Sequence, residues 1–328
     1  MKHVLATRLD NDGDVLLAGP ALRALAAGAD RVTLLCGPRG RQAAHLLPGV
    51  DEVIVWRAPW IDPDGHPVER EDVDALVARI AALNVDRALI FGSFHQSPLP
   101  TALLLRLAGV PWIGATSVDF PGSLLDLRHL IDDDVHEVER SLDLVRAAGF
   151  TPPADDRLQV IREPYELEPG YVVVHPGASV PVRAWSPQRN RELVALLDRP
   201  VVVTGGPNET ELTAYVAGER GLDLGGRTSL AELASVIEQA DAIVVGNTGP
   251  AHLAAAVQTP VVSLFAPTVP AVRWRPWKVP HELLYIDVPC AGCRARTCPV
   301  PGHPCLEGVT PETVADAVDR LARKAVPA

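Results

Sequence analysis

The sequence predicts an α/β protein built from two doubly wound, Rossmann-like parallel-sheet domains that face a cleft. Short apolar runs rich in Val and Ile alternate with Ala- and Leu-rich helical patterns along the chain, which is typical of βαβ units. The chain has 328 residues, which is long for a single core. A stretch rich in Pro and Glu, near residues 151–170, separates two series of strands.

The strands of the first domain are predicted near residues 3–7, 32–36, 52–56, 87–92 and 111–114. Those of the second domain are predicted near residues 171–174, 200–204, 242–245 and 260–264. Such short apolar runs indicate strands that are buried on both faces of a parallel sheet. Each domain has room for about five or six strands, and ligands are expected at their carboxyl ends.

Two helices help to set the domain limits. One is predicted near residues 136–149, ending at Gly149, and the last covers residues 311–324, after a helix-start signal at Thr310. We expect a first domain over residues 1–165 and a second over residues 166–310. The terminal segment, residues 311–328, is expected to pack back toward the domain junction.

The overall charge narrows the classes of ligand. Acidic residues outnumber basic ones by 41 to 30, which gives a net charge of −11. A nucleic-acid surface is therefore not expected, and an anionic ligand must be held by a local pocket. No segment approaches ~20 uninterrupted apolar residues, and the N-terminus enters a strand without a cleavable leader. We expect a cytoplasmic protein, without a transmembrane segment, that acts on small molecules.

Three carboxylates follow the first strand, at Asp10, Asp12 and Asp14. They load this strand-to-helix turn with negative charge, and a helix N-cap would explain only one of them. Asp14 is a candidate general base, although it could simply cap the helix. The glycine spacing of a dinucleotide-binding loop is missing here.

The second domain carries polar groups after three of its strands. Ser179 and Arg183 follow the first of these strands, and Arg183 offers a guanidinium to phosphate oxygens unless it is only a solvated surface residue. Glu209 follows the next and could accept hydrogen bonds from vicinal ribose hydroxyls, or only compensate a helix dipole. Residues 246–252 form a turn into a helix, whose N–H groups favour an anion. Together they suit a nucleoside diphosphate.

A cysteine cluster lies near the C-terminus. Its spacing is compatible with a structural zinc knuckle, although the second pair is wider than usual. Free thiols or a redox-sensitive disulfide remain the alternatives. The four cysteines are Cys290, Cys293, Cys298 and Cys305.

The order of these motifs resembles glycosyltransferase family 9, the ADP-heptose transferases. The resemblance runs through nearly the whole chain and depends on the combination rather than on any single motif. The motifs are residues 13–15, 136–140, 175–177, 205–209, 228–230 and 248–252, followed by the cysteine cluster.

The resemblance implies a GT-B fold, with the acceptor in the N-terminal domain and a nucleotide-sugar, expected to be an ADP-sugar, in the C-terminal one. It also implies metal-independent inversion at the anomeric carbon, so no cofactor is expected for catalysis. Asp14 matches the catalytic base, and Arg183 would stabilise the leaving diphosphate. The remaining donor positions are Ser179 for the diphosphate, Glu209 for the ribose, Leu230 beside the adenine, and Thr248, Gly249 and His252 for the diphosphate and sugar.

This chain departs from the family at Asn247, where many members carry an aspartate that is thought to contact the donor sugar. The acceptor side also lacks obvious basic residues for a phosphorylated lipopolysaccharide core. Asp10, Gln96 and Ser97 are the candidate acceptor contacts, and the composition of residues 91–97 favours a neutral polar acceptor. The acceptor could be a glycan, a lipid-linked molecule or a small molecule, with the protein peripheral at the inner membrane surface.

Two other functions are compatible with the same architecture. One is a sugar-nucleotide epimerase, although the expected set of acid and histidine groups around the sugar is not evident. The other is a nucleotide-binding protein that has lost catalysis.

Overall fold

The computed structural model describes residues 3–62 and 65–325, and the chain forms two compact units, residues 1–159 and 160–328. Each unit contains one six-stranded parallel sheet with flanking helices, which confirms the predicted fold class. The division follows Gln159, whereas the sequence predicts it at residue 165. Residues 1, 2, 63 and 64 of the predicted first domain, and 326–328 of the predicted terminal segment, lie outside the described residues.

The first sheet has the strand order β3-β2-β1-β4-β5-β6, with every neighbouring pair parallel. β1 is buried along its whole length. The chain winds outward from β1 in one direction through β2 and β3, and in the other through β4, β5 and β6. The loops after β1 and β4 therefore diverge at the carboxyl edge, which is where doubly wound sheets bind ligands. The strands are β1 (His3–Arg8), β2 (Arg31–Cys36), β3 (Glu52–Val55), β4 (Arg87–Ile90), β5 (Ile113–Thr116) and β6 (Leu127–His129).

The second sheet repeats this topology, in the order β12-β11-β10-β7-β8-β9. Its two central strands, β7 and β10, pair in parallel, and the connections after them lead to opposite sides of the sheet. The equivalent ligand-binding position lies after β7 and β10. The strands are β7 (Val172–His175), β8 (Val201–Val203), β9 (Gly221–Asp223), β10 (Ala242–Gly246), β11 (Val261–Leu264) and β12 (His281–Leu284).

The helices connect these strands and cover the sheets. In the second unit α13 packs on α7 and on β10, where Val314, Val318 and Leu321 join the buried core. The helices of the first unit are α1 (Asp12–Leu17), α2 (Gly19–Gly28), α3 (Arg41–Leu46), α4 (Arg70–Ala82), α5 (Leu99–Leu107) and α6 (Glu137–Ala147). Those of the second unit are α7 (Pro187–Leu196), α8 (Thr210–Ala217), α9 (Leu230–Glu238), α10 (Gly249–Ala256), α11 (Ala271–Trp274), α12 (Pro304–Glu307) and α13 (Pro311–Ala325).

The sequence missed three strands, β6, β9 and β12, and all three are edge strands. Their residues are half-buried or exposed, whereas β10 and β11 are buried throughout. An edge strand buries less apolar surface, so it does not need the hydrophobic run that identifies a central strand.

Within the described part of the chain, none of the helices combines the length and hydrophobicity that a membrane crossing requires.

The start of α1 is attached to α3 through a partly buried carboxylate. The backbone N–H of Ala43 donates to Asp12 Oδ1 at 2.9 Å. Burial raises the pKa of Asp12 to about 6, and the hydrogen bond from Ala43 opposes that increase. This carboxylate therefore helps to hold the turn that follows β1, at a cost when it is ionised.

Replacing Asp12 with Asn removes a carboxyl group whose pKa differs between the folded and the unfolded protein. An unfolded Asp ionises near pH ~3.9, whereas the pKa of Asp12 in the folded protein is about 6. Between these values the folded state binds more protons than the unfolded state, so wild-type stability falls relative to D12N as the pH rises. Denaturant titrations of both proteins at about pH 4 and about pH 7 measure this change. A stability difference that is constant with pH, or that changes in favour of the wild type, would contradict the burial of Asp12.

Candidate functional site

A cluster of charged side chains lies at the carboxyl edge of the first sheet, around Arg8 at the end of β1. The Arg8 side chain is only 2% exposed and contacts three carboxylates. Its Nε lies 2.9 Å from Asp10 Oδ2, and its Nη2 lies 3.1 Å from Asp14 Oδ1. Its Nη1 lies 3.5 Å from Oε2 of Glu137, the first residue of α6. One buried guanidinium is thus shared by three acids.

The loop after β4 completes this cluster. Arg8 Nη2 donates to Ser93 Oγ at 2.9 Å, and Ser93 Oγ donates to Asp10 Oδ2 at 3.4 Å. Gln96 Nε2 donates to Asp10 Oδ1, while Gln96 Oε1 accepts from the Ser93 N–H. Two of the predicted acceptor contacts, Asp10 and Gln96, are therefore in contact with each other. Ser97 is directed elsewhere, because its hydroxyl donates to Asp119 Oδ2 at 2.8 Å.

The three carboxylates differ in exposure. The side chains of Asp10 and Glu137 are 8% and 1% exposed, whereas that of Asp14 is 19% exposed. Burial raises the pKa of Asp10 and that of Glu137, and in both cases the charge of Arg8 opposes the increase. Burial by itself would lower the pKa of Arg8, but its three acidic neighbours outweigh that effect and raise it. Asp14 is the carboxylate of this cluster that is best placed to meet a ligand.

The second unit places Glu209 beside the loop after β7. The Gly206 N–H donates to Glu209 Oε2 at 2.7 Å, and this interaction holds the carboxylate next to Gly177. A Cβ atom at Gly177 would collide with the Glu209 carboxylate, so any larger residue there would displace that carboxylate. Burial lowers the pKa of the neighbouring His175, and Glu209 opposes that decrease.

Arg183 lies against the turn after β10. Its Nη1 donates to the backbone carbonyl of Asn247 at 3.3 Å. The close approach requires Gly246, since a Cβ there would lie 2.5 Å from the backbone oxygen of Arg183. The cation predicted for a phosphate is therefore adjacent to the predicted anion-binding turn.

The turn after β10 also contains polar atoms that the protein itself leaves unused. In the described part of the chain, Asn247 Oδ1 and Thr248 Oγ1 are buried and have no hydrogen-bond partner. Thr248 is the N-cap of α10, yet its side chain makes no capping hydrogen bond. The next residue, Gly249, begins the helix, and His252 is buried in its first turn. Buried polar atoms without partners are costly, so this turn is suited to a polar ligand.

Two further predicted donor contacts have less distinctive surroundings. Ser179 is exposed in the loop after β7. Leu230 is half-buried at the start of α9, where the Ser229 hydroxyl caps the helix by accepting from the Glu232 N–H.

The sequence did not assign roles to Arg8, Ser93 or Glu137. Arg8 had a usable signal, since a basic residue ends β1 directly before a turn that carries three acidic residues. Glu137 had none, because an acidic residue in the first turn of a helix is ordinary dipole compensation. Its pairing with Arg8 spans 129 positions of sequence.

The structure does not gather the four cysteines into a metal centre. Cys290 and Cys293 are exposed, Cys298 is half-buried and Cys305 is buried at α12. Burial raises the pKa of the Cys305 thiol. Among the residues that the structure describes, no group of three or more His, Cys, Asp or Glu side chains is arranged to hold a metal ion. As placed, these side chains do not fit a zinc site.

The segment that carries the cysteines, residues 290–305, is nevertheless hydrogen-bonded to loops of the second unit. The N–H groups of Gly292 and Arg294 donate to the carbonyls of Pro267 and Thr268, at 2.7 and 3.0 Å. The Val182 N–H donates to the Arg296 carbonyl at 3.1 Å. The segment therefore contacts the loop that follows β11 and the loop that carries Arg183.

Comparisons with known proteins agree on one family. Residues 95–303, more than half of the chain, match the model described as glycosyltransferase family 9 (heptosyltransferase). Lipopolysaccharide heptosyltransferase 3 of Escherichia coli K12 is 31% identical over 162 residues, which cover 43% of this chain and 47% of that protein. This alignment spans only about half of the relative's length.

Solved structures support the same fold. A family 9 glycosyltransferase from Veillonella parvula matches with a TM-score of 0.78 and 16% identity, covering 99% of this chain and 98% of that one. The E. coli heptosyltransferase WaaC with ADP matches with a TM-score of 0.73 and 20% identity, covering 97% and 99%. At these identities the matches show the fold, and they confirm the predicted GT-B class.

The zinc prediction is tested by elemental analysis of protein purified without a histidine tag. A structural site would hold about one equivalent of zinc and lose it when Cys290 and Cys293 are replaced by Ser, because thiolates supply the bonds. Cys36→Ser is the matched control, since Cys36 is buried in β2 and should not affect metal content. Less than about half an equivalent would contradict the zinc site and favour free thiols or a redox-sensitive disulfide.

Proposed function

We propose that this chain, which belongs to glycosyltransferase family 9, transfers a sugar from a nucleotide-activated donor to an acceptor hydroxyl, and that the sugar is a heptose carried by ADP. The observation that carries the proposal is that polar side chains lie at the carboxyl ends of the central strands in both units. One unit holds an acid cluster with a partly exposed Asp14, and the other holds a cation beside an anion-binding turn. The name of the E. coli relative supports heptose as the sugar.

The donor is assigned to the second unit. Arg183 supplies a permanent positive charge next to the turn, and the N-terminus of α10 supplies N–H groups with the positive end of a helix dipole. Asn247 Oδ1 is a buried acceptor to which a sugar hydroxyl could donate, and the buried Thr248 hydroxyl could donate to a diphosphate oxygen. Glu209 would accept hydrogen bonds from the two ribose hydroxyls, while Ser179, Leu230, Gly249 and His252 are the further proposed donor contacts.

Asp14 is assigned as the catalytic base. Arg8 holds its Oδ1, and Oδ2 has no hydrogen-bond partner among the described residues. An acceptor hydroxyl is a poor nucleophile, so a carboxylate that takes its proton during attack accelerates the reaction by about 10²–10⁴-fold. The proton that Asp14 accepts comes from the hydroxyl of the acceptor, which we assign to the first unit.

The reaction would invert the anomeric carbon in one displacement. The acceptor oxygen forms the new glycosidic bond as its proton moves to Asp14, and the bond to the diphosphate breaks. The electron pair of that bond leaves with the diphosphate, and the growing negative charge is stabilised by Arg183 and the N-terminus of α10. These groups can do so without a metal ion, which is the basis for proposing a metal-independent transfer.

The acceptor is proposed to be a neutral polar molecule. Arg8 is enclosed by three carboxylates, so it is not available to bind an anionic acceptor. Gln96 and Asp10 offer amide and carboxylate groups to hydroxyls, and Ser97 lies on the same loop. A glycan, a lipid-linked molecule or a small molecule would meet this description. A cytoplasmic location, peripheral at the inner membrane surface for a lipid-linked acceptor, belongs to the same proposal.

A nucleotide screen tests the donor assignment. ADP-heptose and ADP should raise the melting temperature by several degrees, because a ligand at about 100 times its Kd stabilises the folded state by about 2.7 kcal/mol. GDP-, UDP- and dTDP-sugars should give much smaller shifts. Stabilisation by UDP-sugars alone would contradict the ADP-heptose assignment.

The same thermal-shift measurement, applied to variants, tests the role of Arg183 in donor binding. Arg183→Gln should weaken ADP-heptose binding by about ten- to a hundredfold, since a hydrogen bond to a charged group contributes about 1.5–3 kcal/mol. Arg191→Gln is the matched control, because Arg191 is exposed and donates to the Tyr215 carbonyl. Equal binding by both variants would contradict the role of Arg183.

A second experiment tests the base. Asp14→Asn should lower kcat by about 10²–10⁴-fold, because the amide cannot accept the proton, while the KM for the donor changes little. Asp12→Asn, in the same turn of α1, should retain wild-type kcat, because the Asp12 carboxylate is engaged by Ala43. Transfer by D14N at the wild-type rate would eliminate Asp14 as the base. If the wild type binds ADP-heptose yet transfers nothing to any acceptor, a non-catalytic nucleotide-binding protein becomes the better description.

A further inference from the structure

The charge balance around Arg8 is unusual for a single arginine. Its guanidinium contacts Asp10 from the loop after β1, Asp14 from α1 and Glu137 from α6. Ser93, from the loop after β4, supplies a fourth, neutral contact. Four separate parts of the first unit therefore meet at one side chain.

These partners are not equivalent. Glu137 is only 1% exposed, so it can act only on Arg8 and its surroundings. Asp10 is 8% exposed and contacts Arg8 on the inner side of the cluster. Asp14 is partly exposed, and its link to this cluster is the hydrogen bond from Arg8 Nη2 to Oδ1. The orientation of Asp14 thus depends on Arg8, and the position of Arg8 depends on Asp10 and Glu137.

We propose that Arg8 is the positioning residue for Asp14, and that the buried Glu137, together with Asp10, balances the charge of Arg8 so that the cluster can still accept a proton. The inference rests on the proposed role of Asp14. It goes further by assigning functions to Arg8 and Glu137, neither of which is proposed to touch the substrate.

The physical reason is a conflict between orientation and basicity. An arginine within hydrogen-bond distance fixes a carboxylate well, but its positive charge also makes that carboxylate a weaker base. Two additional carboxylates on the same guanidinium compensate for that charge. Burial raises the pKa of Glu137 and that of Asp10, which is consistent with a cluster that retains protons more readily than isolated acids.

Other charged groups among the described residues also act on this cluster. Arg140, one turn after Glu137 on α6, acts on Glu137, and His95 acts on Asp10 from the loop after β4. Asp12 belongs to the same helix as Asp14, but its carboxylate accepts from the Ala43 N–H. Ser93 and Gln96 contribute neutral hydrogen bonds. Asp10 and Glu137 are therefore the two carboxylates that share Arg8 with Asp14.

The decisive variant is Glu137→Gln, which keeps the shape of the side chain and removes its charge. With one carboxylate fewer, Arg8 acts more strongly on the remaining two, and the acid limb of the kcat profile should move to lower pH by about one unit. The plateau kcat should fall about tenfold, because the base is weaker. The KM for the donor should not change, since the proposed donor contacts are in the second unit.

Glu139→Gln is the matched control. It makes the same charge change two positions along α6, at an exposed residue whose capping interaction with the His136 N–H glutamine can also make. Its pH profile and kcat should equal those of the wild type. Identical profiles for E137Q, E139Q and the wild type would overturn the proposal and leave Glu137 with a purely structural role.

Arg8→Lys tests positioning separately from charge. Lysine retains the positive charge, but its single ammonium cannot hold three carboxylates in the geometry of a guanidinium. The kcat should fall at least about tenfold with an unchanged donor KM. A folded R8K protein with wild-type kcat would show that charge alone suffices, and it would overturn the positioning role even if E137Q failed to fold.

Carboxyl-carbon NMR titration separates this inference from the proposed function. In protein labelled at Asp and Glu carboxyl carbons, E137Q should move the titration of the remaining cluster carboxylates to lower pH, and E139Q should not. This readout needs no substrate, so it stands even if D14N retains transfer. An unmoved titration in E137Q would overturn the charge balance whatever the reaction proves to be.

Discussion

The divergence of the chain at the centre of each parallel sheet is the constraint on which the rest of the structure depends. β1 pairs with β4, and β7 pairs with β10, and in each case the connections after the two strands lead to opposite sides. These central strands are mostly buried, so a ligand can reach polar groups only at their carboxyl ends. Both candidate site regions lie at these positions.

The two units use this position in different ways. The first buries charge, with one guanidinium shared by three carboxylates, and the mutual attraction of these groups opposes the cost of removing them from water. The second depends more on backbone. Gly246 allows the backbone of Arg183 to approach the end of β10, and Gly177 leaves room for the Glu209 carboxylate beside the end of β7. One arrangement suits a proton acceptor, and the other suits a large anion.

Several features were predictable from residues alone because they have local causes. The central strands are apolar runs, and the turn at Thr248 combines small residues with a helix start. The edge strands β6, β9 and β12 were not predictable in this way, because their exposed positions do not demand hydrophobic residues. The contact of Ser97 with Asp119 was also missed, since it joins loops that follow different strands.

The sequence by itself determined the fold class, the candidate base Asp14 and the turn that contains Asn247, because each is encoded in a short segment with its own hydrophobic or polar pattern. Only the tertiary structure decided what surrounds them. Glu137 is separated from Arg8 by 129 positions, and no local pattern could pair them. Burial decided which carboxylate of the cluster remains accessible. That outcome depends on the packing of α6 against the first sheet rather than on the composition of any one segment.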